Sequence, residues 1–318
     1  MSTRPRYRGA GGVRTSSVAL PLVVALCAAA ATELARPSSA RACVPCSCGD
    51  PTLVATGVEQ PYRNRVRLAL EERFGTHESG EASTHRASIV STSSLYALWS
   101  PHDRVTIGAQ LPWIVNAIRD ADGQLRIASG LGDLETSARF VVARDRRFAA
   151  RHILQLMAGL KWPTAPRITD AEGYFFADDE QPGSGSFDPF GGAAWSWFTG
   201  GLASGAVQLL ARVPTAGPRG YRRGAAVASS AVVQLQPVRW FALGLGAVVL
   251  WRAADTLANG AAAPDTGGTV AQLLPAFLFA PASRVLLRLS ASVPVVQSFN
   301  GRQREGVEGV LSLAVDIR

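Results

Sequence analysis

The stretch VTIGAQLPWIVN, residues 105–116, decides the fold of this chain. Its odd-numbered positions are all apolar, namely Val105, Ile107, Ala109, Leu111, Trp113 and Val115. A period of two places such residues on one face of a β-strand. A tilted strand of about ten residues crosses the roughly 25 Å apolar band of an outer membrane. The stretch therefore predicts one strand that crosses a membrane with its apolar face toward lipid.

The same rhythm returns along the chain, giving twelve predicted strands from Arg65 to Ile317. Four of them alternate weakly and are predicted from spacing, with Pro275 interrupting the last: His85–Trp99, Phe187–Trp197, Ala225–Leu235 and Thr269–Phe279. Backbone amides cannot stay unpaired in hydrocarbon, and single-chain bacterial barrels have even strand numbers. The fold class predicted is all-β, a single antiparallel transmembrane β-barrel of about twelve strands.

Loop lengths and tryptophans follow the same topology. Short gaps should be periplasmic turns: Ser100–Asp103, Thr199–Gly201, Gln236–Arg239 and Pro281–Ser283. Longer gaps should be extracellular loops: Ala117–Ser129, Thr164–Gly185 and Ala253–Gly268. All seven tryptophans fall at predicted rims, where aromatic belts form.

Four prolines are predicted near the tops of upward strands: Pro112, Pro163, Pro214 and Pro294. A soluble β-sandwich or propeller also alternates, but it does not predict such rims.

The N-terminal part predicts export. Residues 1–42 have the basic start, apolar middle and small-x-small end of a signal peptide, which leaves residues 43–64 as a periplasmic tail or lumenal plug and 65–318 as the barrel. Cys27 would be removed with the signal. The remaining Cys43, Cys46 and Cys48 could form a disulfide, and Cys43 could carry a lipid. The net charge of +8 falls to +3 without residues 1–42, so no nucleic-acid partner is predicted.

The face opposite the lipid carries the candidate functional residues. Ionisable groups within a membrane are costly unless they face a wet lumen or one another. The predicted lumen-lining set is Arg67, Glu71, Asp133, Glu135, Arg139, Lys161, Gln208, Arg212, Arg252, Arg288, Glu308 and Asp316. These side chains could line a selective permeation path, or they could form a self-paired network that closes the lumen. For any single residue the second role is the simpler expectation.

Three motifs resemble those of one known family. They are GLGDL (130–134) followed by ARF (138–140), GLKWPT (159–164), and QPGSGSFDP (181–189). Their order and spacing resemble the outer-membrane transporters of the phenol meta-pathway degradation family over roughly residues 50 to 318. The resemblance implies a channel-like barrel related to fatty-acid and aromatic-hydrocarbon uptake proteins. The chain departs from the usual aromatic ending, because it closes on Asp316-Ile317-Arg318.

Three functional hypotheses follow. The first is a passive channel for small solutes, including hydrophobic ones, in the outer membrane of a Gram-negative bacterium. The second is a structural barrel that recruits a periplasmic partner through its cysteine-rich tail. The third and least favoured is a lipase-type enzyme, because the G-x-S-x-G elbow is missing and the outward-facing His152 suits an aromatic belt. We expect outer-membrane lipid as a partner, no metal and no cofactor; the sequence does not define the solute or the oligomeric state.

Overall fold

A computed structural model describes residues 63–81, 84–146, 149–170, 172–200 and 202–317. All regular structure in this part of the chain is β-strand. The segments are β1 Arg65–Ser79, β2 Arg86–His102, β3 Val105–Arg119, β4 Leu125–Leu131, β5 Glu135–Arg144, β6 His152–Lys161, β7 Asp188–Phe198, β8 Ala203–Arg212, β9 Ala226–Val238, β10 Phe241–Arg252, β11 Gly268–Ala282, β12 Val285–Phe299, β13 Gln303–Glu305 and β14 Glu308–Asp316.

These segments form a closed antiparallel barrel of twelve strands, which confirms the predicted fold class. The pairs β4 with β5 and β13 with β14 each make one barrel strand, interrupted at residues 132–134 and 306–307. β1 closes the barrel because it pairs with β2 on one side and with β13 and β14 on the other. We call the end where β1 begins the inner end and the end where it finishes the outer end.

The outward face of the barrel is mainly apolar, and its large apolar side chains are exposed, as a membrane protein requires. Leu95, Phe140, Leu209 and Leu245 are examples of its exposed side chains. Aromatic rings gather at both ends of this face. At the inner end His152 stacks on Trp195 with ring centroids 5.7 Å apart, and Trp240 meets Phe279 at 5.9 Å; at the outer end Trp162 meets Phe187 at 6.0 Å. The barrel is therefore of the outer-membrane type.

One predicted loop, Ala117–Ser129, is wrong. β3 continues to Arg119 and β4 starts at Leu125, so the connection is a tight turn around Gly123, whose φ is 83°. An Asp120-Ala-Asp-Gly123 sequence suits such a turn, because Asp caps it and Gly accepts positive φ. The alternation of long and short loops is consequently less strict than predicted. The outer connections after β1, β3 and β12 are short, and those after β6, β8 and β10 are long.

Pro163 and Pro214 follow the outer ends of β6 and β8 as predicted, whereas Pro112 lies inside β3, where the ladder is irregular. Between the pairs Gln110–Glu135 and Trp113–Leu131, β3 contributes two residues and the opposite chain three, which is a bulge. Pro112 is at this bulge, where its missing N–H costs no ladder bond. Its carbonyl accepts from the Gly132 N–H at 2.8 Å.

Two predicted segments lie outside the described residues: the signal peptide (1–42) and nearly all of the tail or plug (43–64), with Cys43, Cys46 and Cys48. Among the described residues, no helix is long and apolar enough to cross a membrane.

Candidate functional site: the lumen

An ion-pair cluster joins the first and last barrel strands at the inner end. Asp316 accepts from Arg65 Nε and Nη2 at 3.0 and 2.7 Å and from Arg67 Nε and Nη2 at 2.7 and 2.8 Å. Arg67 and Asp316 are cross-strand partners on the inward face. Two guanidinium groups thus share one carboxylate, a strong charge-assisted arrangement. The cluster is part of the lumen wall at the point where the barrel closes.

A second cluster lies farther along the inward face of β1. Arg73 donates to Glu71 Oε1 at 2.7 Å and to Glu308 Oε1 at 3.3 Å, and the Tyr96 hydroxyl donates to Glu71 at 3.3 Å. Glu71 is fully buried, and a carboxylate in that position must be paired to remain charged. At this level the wall is a compensated network and not a row of free charges.

Asp133 is the centre of a third cluster near the outer end. The bulge opposite Pro112 turns its side chain inward, where it is buried. It accepts from the Ala165 N–H at 3.1 Å and the Ser184 N–H at 2.8 Å, and Lys161 Nζ lies 3.3 Å away. Two of these donors belong to the loop of residues 162–187. Asp133 therefore anchors both stems of that loop to the barrel wall.

Lys161 connects Asp133 to the start of β7. Its Nζ lies 2.5 Å from Asp188 Oδ2 and also hydrogen-bonds Ser184. Next to it, Arg212 donates to Glu135 Oε2 at 2.7 Å, and its guanidinium lies 4.9 Å from the centroid of the Phe190 ring. Positive and negative groups alternate across this part of the lumen, so it contains no large field of one sign.

The loop of residues 162–187 is fixed a second time by Glu180. This buried carboxylate pairs with Arg126 of β4 at 2.9 Å and Arg86 of β2 at 3.3 Å. Asp179 Oδ2 lies 3.8 Å from Arg86 Nη1, a contact that favours the charged carboxylate. Burial opposes this effect and raises the pKa of the Asp179 carboxyl group above its ordinary value. The loop is consequently held across the outer end by charges on its far side as well as at its stems.

A cavity of about 130 Å³ lies between this loop and the wall. It is lined by Gln110, Pro112, Ile114, Asp133, Glu135, Lys161, Pro182, Ser184 and Arg223. A single water needs roughly 10–15 Å³ of such space, so the cavity can hold several waters or a small solute. Its lining combines three predicted lumen residues with an apolar side of two prolines and an isoleucine.

The inner half of the lumen has a different character. Inward-facing apolar residues form a buried cluster there, which includes Val141, Ile153, Phe198, Ala206, Ala242, Leu278 and Leu286. Gln234 of β9 lies beside the cluster, and neither its amide nitrogen nor its amide oxygen has a hydrogen-bond partner among the described residues. A buried amide in that state is costly unless water or solute reaches it. Polar side chains are also buried at this end, among them Gln155, Ser196 and Gln236, so the apolar cluster and buried polar groups together fill the inner end.

The remaining predicted residues are spread over the wall. Arg139 and Gln208 are half-buried, Arg288 is buried, and Arg252 is exposed at the outer end of β10. Sequence reasoning left out several members of the clusters, among them Arg65, Arg73, Asp188, Glu180 and Arg126. The period of two on β1 could have found Arg65 and Arg73. The role of Glu180 depends on the path of a long loop, for which the sequence carries no signal.

A comparison with solved structures finds the same fold in another outer-membrane protein. No family model matches the chain, and no curated protein sequence is recognisably similar to it. The solved structure of the COG4313 outer membrane channel from Pseudomonas putida F1 matches with a TM-score of 0.63 and 14% identity, covering 80% of this chain and 96% of that one. The translocator domain of the autotransporter NalP from Neisseria meningitidis matches with a TM-score of 0.45, 11% identity and coverages of 83% and 93%. The first likeness shows that this chain has the fold of an outer-membrane barrel.

Proposed function

We propose that the protein is a passive outer-membrane channel for small solutes with a constricted lumen. The observation that carries this proposal is the distribution of ionisable side chains on the inward face. They run from Asp316 at the inner end to Lys161 and Arg126 at the outer end. Ionisable groups inside a membrane barrel usually mark a solute pathway. The fold likeness to a protein described as an outer-membrane channel supports the same conclusion.

The cavity beneath the loop of residues 162–187 suits solutes that are small and at least partly polar. Charged groups on one side could orient a polar substituent, while Pro112, Ile114 and Pro182 offer an apolar contact on the other. The family resemblance implies hydrophobic solutes. A purely apolar molecule would have to pass the paired charges of Lys161, Asp133 and Asp188, which favours solutes that carry a hydrogen-bonding group.

Planar-bilayer recording tests the proposal. Purified protein should give stepwise conductance of small amplitude, because the loop of residues 162–187 is held across the outer end of the lumen. Arg212→Ala removes a lumenal cation and should shift ion selectivity toward cations, while the control Leu209→Ala, on the outward face of the same strand, should leave selectivity unchanged. A folded barrel that passes neither ions nor small uncharged solutes into liposomes would contradict the channel. That result would favour the structural-barrel hypothesis.

A further inference from the structure

Glu72 is a carboxylate in the middle of β1 that faces outward, away from the lumen. Glu72 occupies the same face as Leu68 and Phe74, both of which are exposed, whereas its neighbours Glu71 and Arg73 face the lumen. Across the ladder Glu72 is opposite Ser93 of β2 and Leu311 of β14. None of the lumenal ion-pair clusters involves it. Its position conflicts with the apolar character of the rest of the outward face.

Glu72 lies at a depth where lipid tails should surround it. Val66 is opposite Trp99 at the inner aromatic rim, and Glu72 comes six residues later on β1. At about 3.3 Å per residue and a tilt of roughly 40°, six residues rise about 15 Å, which lies within an apolar band of roughly 25 Å. Leu70 precedes Glu72 on this face and Phe74 follows it, so apolar side chains flank it above and below.

Two serine hydroxyls are directed at this carboxylate. Ser91 donates to Glu72 Oε1 at 2.5 Å, and Ser93 donates to Oε2. We call Glu72, Ser91 and Ser93 the Glu72 patch. An acidic side chain facing hydrocarbon is costly, and such residues usually have a partner that removes them from lipid. Two neutral hydroxyls lessen that cost without taking the group out of the membrane.

We propose that the Glu72 patch is the centre of an interface between two copies of this barrel in the same membrane. The patch is self-complementary, because the serine hydroxyls of one copy can donate to the Glu72 carboxyl oxygens of the other. A twofold axis normal to the membrane would bring Glu72 of one copy to the serines of the other, as an isologous interface requires. Polar side chains that meet across lipid stabilise association between membrane segments.

The surroundings of the patch allow close approach. The serines are small, and Gly309 of β14, opposite Phe74, has open space where a side chain would project. Small residues let two backbones come near each other, which strengthens packing within a membrane. Phe74 and Leu311 would then be the larger apolar side chains that pack around the polar centre. A second copy therefore fits the patch in both shape and hydrogen bonding.

Sedimentation equilibrium of the purified full chain in density-matched micelles tests this interface. The wild type should show a reversible monomer–dimer equilibrium. Glu72→Leu should raise the dimer dissociation constant about tenfold or more, and Glu72→Gln, which still donates and accepts, should restore most of the affinity. Ser229→Leu removes a polar side chain from the outward face of β9, on the opposite wall, and should leave the equilibrium unchanged. Heat-modifiable mobility in gels checks that every variant is folded.

Three outcomes would overturn the interface: a wild type that stays monomeric at all concentrations, a Glu72→Leu variant that dimerises as well as the wild type, or an equal loss in Ser229→Leu. Lipopolysaccharide retained by a monomeric wild type and lost from Glu72→Leu would assign the patch to a lipid instead. Conductance is a separate readout, because Glu72 lies outside the lumen. Failure of this interface thus leaves the channel proposal intact.

Discussion

The two faces of β1 differ in the relation between burial and polarity. On the inward face Arg67 and Glu71 are 2% and 0% exposed, whereas Leu68 and Phe74 on the outward face are 40% and 54% exposed. In a water-soluble protein charged residues are seldom fully buried and large apolar side chains usually are. The inversion shows that lipid completes the packing of the outward face. The lumenal charges stabilise the barrel because they pair with one another across strands.

Of the changes predicted here, a charge placed on the lipid-facing side of β1 should have the largest effect on stability. Leu68→Arg should lower the free energy of unfolding by roughly 2–3 kcal/mol, because a guanidinium about 5 Å above the inner aromatic rim lies within the apolar band and loses much of its hydration. Denaturant titration of the protein folded into lipid vesicles measures this loss. Leu68→Met, which keeps an apolar side chain, is the matched control. A loss below about 1 kcal/mol would place Leu68 outside the membrane.

Removing the anchor of the outer loop should have the next largest effect. Asp133→Ala deprives the Ser184 N–H and Lys161 of a buried acceptor and should cost about 2 kcal/mol. Because both stems of the loop of residues 162–187 then lose a shared anchor, the loop should loosen and conductance should also rise. Asp178→Ala breaks a more exposed pair with Arg167 and should cost about 0.5 kcal/mol or less. Equal effects of both changes would mean that Asp133 does not anchor the loop.

Most of the barrel could be predicted because its physical cause is local. Alternation along a single strand records which side chains meet lipid, so the strand predicted from residues 105–116 lies within β3, Val105–Arg119. The turn at Gly123 was missed, since Ala, Ser and Gly in Ala117–Ser129 also suit a loop. The salt bridges could not be predicted. Asp133 meets Ser184, fifty-one positions later, only because a bulge and a long loop bring them together.

The unpartnered amide of Gln234 gives a prediction for the inner end of the lumen. Gln234→Leu should raise the free energy of unfolding by about 1 kcal/mol, because an apolar side chain of similar size avoids burying an unsatisfied amide. Thermal or denaturant unfolding in micelles measures this gain. A loss of stability instead would show that lumenal water or solute satisfies the amide, and the inner end would then be wetter than its apolar cluster suggests.

Arg67→Leu sharpens the comparison of the two faces, because it changes the position next to Leu68. The variant should fold and lose about 1 kcal/mol or less, since Arg65 still pairs with Asp316 and leucine fills much of the space. Its main effect should be on ion selectivity in bilayers, because a lumenal cation is gone. Damage equal to that of Leu68→Arg would reject the assignment of inward and outward faces.

The smallest effect concerns pH at the outer loop. Burial raises the pKa of Asp179, so its carboxyl favours the protonated form in the folded loop. The contribution of this carboxyl group to the stability of the folded loop is fully present below the pKa that the group has in the unfolded chain. It is lost as the pH rises through the higher pKa that the group has in the folded loop. Asp179→Asn should remove this dependence and change stability by about 0.5 kcal/mol or less, because the side chain is half exposed. Loop proteolysis rates between pH 4 and 7, about the range in which a raised carboxyl titrates, measure it.

Spin labels placed one at a time at residues 66 to 74 would test most directly whether the outward face of β1 meets lipid. For each label, the collision rate with oxygen, which concentrates in hydrocarbon, is compared with the collision rate with a polar nickel chelate. The labels are placed in a reconstituted variant whose native cysteines are replaced by serine. The account predicts oxygen access with a period of two and maxima at the even-numbered positions. Maxima at the odd-numbered positions, or no periodicity at all, would contradict it.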